Sequence, residues 1–140
     1  MNIKQNKGIG LSDAIIAIGI FIIFTGFIIS VSYNIYLQSN FIKRNEQATN
    51  YIIEIFEYAQ GLLYEDVNAE TIVGYINNKS ENVKAIDGEY VDGVEKQEAY
   101  TIFIDITDVK PDYIKQINIT VMYELGGKVK TVNMKTLINK

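Results

Sequence analysis

Asp13 is an ionisable residue in apolar surroundings that do not explain its presence. It stands at the front edge of a stretch of 29 residues, 14 to 42, that contains no charged side chain. An ionisable side chain within a membrane-spanning segment costs about 2.5–3.5 kcal/mol at mid-bilayer and less near the interface. A carboxylate in this position therefore predicts a compensating interaction. Capping is one such interaction, because Ser12 or Asp13 could accept hydrogen bonds from the first free amides of a helix and favour its positive end.

The residues before Asp13 have a distinctive order. A short basic leader, MNIKQNKG, ends at Gly8, an apolar residue, Ile9, follows at once, and Asp13 is fifth after the glycine. A long apolar run comes next. This order resembles the class III signal of type IV prepilins and pseudopilins. Ile9 replaces the family's usual phenylalanine, and Asp13 replaces its usual glutamate with a side chain one methylene shorter.

The resemblance implies processing by prepilin peptidase. The cleavage site would lie between Gly8 and Ile9, and the new amino terminus at Ile9 would be methylated. In the family, an acidic residue at the position of Asp13 pairs with the terminal amine of an adjacent subunit. A buried ion pair is weak support for net stability, but an unpaired carboxylate disfavours wrong axial offsets between packed helices. The resemblance therefore assigns subunit assembly to Asp13.

The same resemblance implies partners and a location. The partners would be prepilin peptidase, other pilins or pseudopilins, the assembly platform membrane protein with its ATPase, and membrane lipid. The precursor would lie in the cytoplasmic membrane with a single pass and an extracytoplasmic globular domain, and then reach a pilus or the cell surface.

Two other interpretations of the apolar run stay open. An ordinary secretory signal peptide is one, since Ser30-Val31-Ser32 offers a small-x-small cleavage site before Tyr33. The run is longer than a typical hydrophobic region of such a peptide, and Asp13 interrupts its opening. The other is a signal-anchored extracytoplasmic binding or sensory domain that does not polymerise and does not use Gly8 as a cleavage site.

Composition excludes several chemistries. The chain contains no cysteine and no histidine, which removes disulfides, Ser-His and Cys-His nucleophilic machinery and imidazole metal sites. No convergent catalytic set appears, so we predict that the protein is not an enzyme and uses no cofactor. Lysines are modestly enriched after Tyr113, but they are too scattered to predict nucleic-acid binding.

The uncharged run is predicted to be a membrane-spanning helix. At about 1.5 Å per residue it would extend roughly 43 Å, against a hydrocarbon core of about 30 Å. Small residues four positions apart let helices approach closely in lipid. Two such pairs, Gly10 with Ala14 and Gly26 with Ser30, are candidate helix-packing positions.

No helix breaker separates this run from the next stretch, so one continuous helix is predicted from about Ser12 to about Tyr64. Its second half has apolar residues at three- and four-residue steps, the pattern of a helix with one buried face. This apolar stripe contains Ala48, Ile52, Ile55, Ala59 and Leu62, widened by Phe56 and Leu63.

Residues 65–112 carry twelve acidic residues and four lysines, a net charge of −8. Asn68 is predicted to cap a short helix over residues 69–78. In residues 87–95 four carboxylates surround two glycines, a setting that calcium can use. The spacing does not match an EF-hand loop, and Asp-Gly pairs are typical of turns, so a loop is favoured over a metal site.

Alternating apolar and polar residues predict strands over residues 100–107 and 117–122, with a third strand after Gly126-Gly127. A two-residue turn at these glycines sets the register of a hairpin. The predicted pairs are Leu125 with Lys128, Val121 with Val132, Ile119 with Met134, Thr120 with Asn133, and Asn118 with Lys135. This ending, which finishes Thr136-Leu137-Ile138, loosely resembles that of minor pilins of the PilV and pseudopilin-I types.

The predicted fold class is therefore α+β. A long amino-terminal helix, transmembrane in its first half and amphipathic in its second, would pack against a small antiparallel sheet. The predicted organisation is a leader over residues 1–8, a transmembrane helix over 9–37, an amphipathic half over 38–64 and a globular domain over 65–140.

Overall fold

The computed structural model describes residues 10–93 and 98–140. Its chain contacts separate two compact units, Met1–Asn40 and Phe41–Lys140, here called the amino-terminal and carboxy-terminal units. The helices are α1 (Leu11–Gly61) and α2 (Ala69–Lys79), with a 3₁₀ turn at Tyr64–Asp66 between them. The strands are β1 (Val83–Asp87), β2 (Tyr100–Lys110), β3 (Ile114–Leu125) and β4 (Lys128–Asn139).

The part of α1 within the carboxy-terminal unit packs one face onto the sheet. The buried residues of that face are Ala48, Ile52, Ile55 and Ala59. Their spacing of three and four residues keeps them on one side of a 3.6-residue helix, and this confirms the predicted stripe at these four positions. Leu63 is an exception, at 76% exposure. Because α1 ends at Gly61, Leu63 no longer follows the helical periodicity.

The four strands form one sheet in the order β1-β2-β3-β4. β2 pairs antiparallel with β3, and β3 pairs antiparallel with β4. The predicted α+β fold, a long helix packed against a small sheet, is confirmed. β1 had no counterpart among the predicted strands. It pairs parallel with β2, so the sheet is mixed.

The β3–β4 hairpin has the predicted register. Leu125 pairs with Lys128, and Val121 pairs with Val132. Gly126 and Gly127 both have positive φ, 59° and 74°, the conformation of a two-residue turn that matches strand twist and that side chains disfavour. The turn chemistry and the apolar pattern therefore specify the same pairing.

The inner face of the sheet forms the core with α1 and α2. Alternate residues of β2 and β3 supply it, namely Ile102, Ile104, Ile117, Ile119 and Val121, all buried. The outer face is also covered at its centre, where Thr101, Phe103 and Met122 are buried. Tyr90, in the connection from β1 to β2, places its ring edge against Phe103 at 5.4 Å between centroids. A parallel pair needs a crossover, and Tyr90, in the described part of this crossover, lies against Phe103 on the outer face.

Three side chains on this outer face form a short polar ladder. The Asn133 amide donates to Asn118 Oδ1 at 2.7 Å and to Thr120 Oγ1 at 2.6 Å. Asn118 and Thr120 are buried, and buried polar groups without partners would be costly. The alternation that predicted an apolar and a polar face is therefore correct, but the polar face is partly enclosed.

Within the carboxy-terminal unit, α1 and β3 lie side by side and run in opposite directions. Tyr123 contacts Asn45, and Lys115 contacts Tyr64. From Asn45 to Tyr64 the chain advances nineteen residues, or roughly 28 Å as helix. From Lys115 to Tyr123 it advances eight residues, or roughly 27 Å as strand. The equal lengths place the β3–β4 turn at the Phe41 end of this unit.

The buried face of α1 predicts a contrast between two adjacent isoleucines. Ile52 is fully buried and Ile53 is 43% exposed. Ile52→Ala should lower the free energy of unfolding by about 2–5 kcal/mol, because it leaves a core cavity. Ile53→Ala should change it by no more than about 0.5 kcal/mol. Denaturant unfolding of the full chain in detergent, followed by tyrosine circular dichroism, measures both. Equal effects would contradict the packing.

Candidate functional site

The amino-terminal unit presents an apolar helix with its side chains uncovered. By length and composition α1 could cross a membrane, and none of its apolar stretch is buried within the chain. The exposed large side chains include Ile15, Ile18, Phe21, Ile22, Phe24, Phe27, Ile28, Ile35 and Tyr36. Their positions cover every side of the helix rather than one stripe. A helix that is apolar all round is buried in lipid or in other protein.

α1 begins just after Gly10, whose carbonyl accepts hydrogen bonds from the amides of Asp13 at 3.0 Å and Ala14 at 3.2 Å. Gly10, and not Ser12 or Asp13, therefore holds the capping position. Asp13 lies in the first helical turn and is exposed. Its carboxylate stands beside the positive end of the helix dipole and remains open to a partner. The predicted cleavage and methylation residues, Gly8 and Ile9, lie outside the described residues.

The two small-residue pairs lie on different sides of α1. One pair is Gly10 with Ala14, and the other is Gly26 with Ser30. Sixteen residues separate them, which corresponds to about 24 Å along the helix axis and about 160° of rotation around it. A side chain added at Gly26 would meet no atom within 4 Å. The structure does not bring the pairs together. It places them as two separate positions where another helix could approach closely.

Two tyrosines of the sheet hold the start of the carboxy-terminal unit. Tyr100 Oη donates to Gln47 Oε1 at 2.6 Å, and Tyr123 Oη donates to Asn45 Oδ1 at 3.3 Å. The Arg44 guanidinium lies 6.0 Å from the Tyr100 ring centre. Burial raises the pKa of both tyrosines, and the nearby Arg44 charge partly opposes that rise. These contacts fix α1 axially on the sheet.

A second polar cluster ties α2 to α1. Lys79 forms an ion pair with Glu54, and Tyr75 Oη donates to the same carboxylate at 3.2 Å. The hydrogen bond to Glu54 raises the pKa of Lys79. The Tyr58 and Tyr75 rings stack with centroids 3.8 Å apart. A cavity of about 240 Å³ adjoins this cluster. Sequence reasoning missed the cluster, because Glu54 is 21 positions from Tyr75 and 25 positions from Lys79.

Lys115 closes the opposite end of this unit. Its Nζ donates to the carbonyls of Tyr64 at 2.9 Å and Val67 at 2.7 Å, which satisfies acceptors where the helical segment ends. The ammonium lies 4.6 Å from the Tyr64 ring centre. Among the residues described, Tyr64 Oη is buried without a hydrogen-bond partner. Burial, with the charges of Asp108 and Asp112, raises its pKa.

The acidic stretch after β1 is a loop over its described part, residues 88–93. Within residues 10–93 and 98–140, no group of three or more acidic side chains is placed to hold a metal ion. Glu95, one of the four carboxylates of residues 87–95, lies outside the described residues. The surfaces that stand out are therefore suited to association: an uncovered apolar helix, one carboxylate at its start and two small-residue pairs.

Comparisons of the chain with protein-family models, with curated proteins and with solved structures found no match. The functional interpretation therefore depends on the sequence pattern and on the geometry of α1 and the sheet.

The raised tyrosine pKa values predict alkaline destabilisation. Unfolded tyrosines ionise near pH 10, whereas Tyr100 and Tyr123 hold their protons to higher pH in the folded chain. The unfolded state then binds fewer protons, so the free energy of unfolding falls as pH rises above about 10. The double variant Y100F/Y123F should show a smaller fall, measured as the thermal midpoint at neutral and alkaline pH. Tyr113→Phe, at an exposed tyrosine, is the control. Equal falls in both variants would refute the assignment.

Proposed function

We propose that this protein is a minor pilin or pseudopilin, a structural subunit of a type IV pilus or of a related secretion or DNA-uptake filament. The precursor lies in the cytoplasmic membrane, is cut after Gly8 and enters the filament by helix packing. The observation that carries the proposal is the apolar first part of α1, which the chain itself leaves uncovered. Such a surface is unstable in water. Lipid covers it before assembly, and neighbouring helices cover it afterwards.

The position of Asp13 supports this proposal. Its carboxylate is exposed in the first turn of α1, close in sequence to the amino terminus that cleavage at Gly8 would create. A terminal amine of an adjacent subunit is the cation that would neutralise it. Since an unpaired charge among apolar helices is costly, subunits offset by the wrong distance would be disfavoured. Asp13 then sets the axial register of the filament.

The arrangement of small residues is consistent with packing on two sides. Gly10 with Ala14 and Gly26 with Ser30 lie on different sides of α1, so one subunit can admit two neighbouring helices closely. A filament in which each helix has several neighbours requires more than one such surface. The buried face of residues 48–59 is already used by the sheet, so the carboxy-terminal unit stays folded on α1 while the apolar part changes partners.

The processing step gives the first test of this function. Protein recovered from sheared surface filaments should begin at Ile9 and carry an amino-terminal methyl group, as read by mass spectrometry of the mature chain. The control is the membrane fraction of cells that lack prepilin peptidase, in which the leader should remain. A surface protein that retains residues 1–8 would contradict the proposal and support a signal-anchored domain that does not polymerise.

Substitution of Asp13 tests the assembly role. Asp13→Asn keeps the shape and removes the charge, so cleavage after Gly8 should continue while incorporation into filaments falls more than about tenfold. The reason is that leaving one charge of a buried pair unpartnered costs about 3–5 kcal/mol. Asp13→Glu should retain incorporation, and Ser12→Ala is the neighbouring control. Immunoblots of shed filaments and membranes measure the ratio. Normal incorporation of Asp13→Asn would exclude the proposed pairing.

A further inference from the structure

The β3–β4 hairpin extends past the start of β2. The first residue of β2, Tyr100, pairs with Tyr123, whereas pairing between β3 and β4 continues to Leu125 and Lys128. Two further residues per strand extend the hairpin by roughly 7 Å. The tight turn at residues 126–127 closes it. The hairpin tip, defined as residues 125–130, therefore projects beyond the neighbouring strand.

The hairpin tip lies at the end of the carboxy-terminal unit that contains Phe41, the first residue of that unit. Lys130 Nζ lies 6.0 Å from the centre of the Phe41 ring, and Tyr123 contacts Asn45 one turn further along α1. Phe41 belongs in sequence to the uncharged run that ends at Ile42. When that run occupies a bilayer, chain connectivity keeps the Phe41 end of this unit next to the polar surface of the same bilayer.

This end carries several cations. Lys128 and Lys130 lie on the tip, and Lys43 and Arg44 begin the charged part of α1. Residues 125–140 contain four lysines and no acidic residue. Four carboxylates are near this end: Glu46 follows Arg44 in α1, Glu81 and Glu98 precede β1 and β2, and Glu124 precedes the tip in β3. Lys128 and Lys130 are therefore the most basic part of this end, and they lie on the β4 side of the sheet.

The two lysines of the tip lie on the same face of β4. Lys128 and Lys130 project from the side of β4 that faces α1, where Lys130 meets Phe41. Val129, which pairs with Glu124 and is 53% exposed, projects from the other side. Lysine stems lie along apolar surface while their ammonium groups reach polar groups. An anionic membrane surface attracts basic segments that lie within about a Debye length of it. The two ammonium groups of the tip therefore match the charge of anionic phospholipid headgroups.

We propose that the hairpin tip, together with Lys43 and Arg44, binds the anionic phospholipid headgroups of the bilayer that α1 spans. This inference rests on the membrane insertion in the proposed function. Lipid is the favoured occupant because the chain holds the tip near the membrane, and such tethering gives even a weak contact a high effective concentration. The carboxy-terminal unit would then be held on the membrane until the subunit leaves it.

The absence of cysteine from the chain permits a direct test. The full chain with Val129→Cys is labelled with an environment-sensitive fluorophore and reconstituted in vesicles of phosphatidylcholine, with or without phosphatidylglycerol. A nitroxide on the lipid headgroup quenches a docked probe. We expect quenching only with phosphatidylglycerol, and its reversal at high salt. A probe at Val109→Cys, exposed at the other end of β2, should remain unquenched.

Charge variants identify the residues that bind. The double variant K128Q/K130Q should lower the ratio of docked to free tip by about fivefold for each lysine removed. The double variant K135Q/K140Q removes the same charge elsewhere on or just after β4 and should leave the ratio unchanged. Equal losses in both variants, or no loss in K128Q/K130Q, would overturn the assignment.

Three further outcomes separate the possible causes. Quenching that disappears as the protein-to-lipid ratio is lowered would show that the lysines contact a second chain, and it would overturn lipid binding. A chain that resists alkaline carbonate extraction but shows no dependence on phosphatidylglycerol would overturn this inference and leave the proposed function standing. Release of the chain by carbonate would overturn both.

Discussion

The apolar surface of α1 constrains every other feature of this chain. Its first part is apolar on all sides and its second part is apolar on one side, so one continuous helix needs two different environments. The sheet provides the second environment by covering Ala48, Ile52, Ile55 and Ala59. The residues that the structure describes do not cover the first part. The hydrophobic effect therefore stabilises the fold of the carboxy-terminal unit and leaves the apolar side chains of the amino-terminal unit uncovered.

Polar groups determine position within this apolar framework. In the carboxy-terminal unit, Tyr100 and Tyr123 fix the start of the packed part of α1 through Gln47 and Asn45, while Lys115 closes its end. Each interaction is directional and fails when α1 slides along the sheet, whereas apolar packing alone tolerates such movement. In the proposed filament Asp13 does the same between subunits. A small number of hydrogen bonds and charges thus selects one register among several that burial would allow.

The two proposals describe one subunit in two environments. In the membrane, lipid covers the amino-terminal unit and headgroups contact the hairpin tip. In the filament, helices replace the acyl chains and the charge of Asp13 is paired. Contacts with anionic headgroups are individually weak and sensitive to salt, so they can hold the subunit without preventing its removal. The folded carboxy-terminal unit is common to both states because its core lies within residues 41–140.

Local patterns were sufficient for much of this structure. The amino-acid sequence alone determined the long helix, the buried stripe at residues 48–59, the Asn68 cap of α2 and the β3–β4 register, because each depends on periodicity, capping or turn chemistry between near neighbours. The proposed association residues were also identified this way, since Asp13 and the small pairs stand out against an uncharged run. Only the tertiary structure decided that β1 joins the sheet in parallel, that the crossover covers Phe103, that Lys79 pairs with Glu54 and that the hairpin tip lies beside Phe41. These contacts join residues distant in the chain, and a charge or a ring carries no local mark of the partner that folding will bring to it.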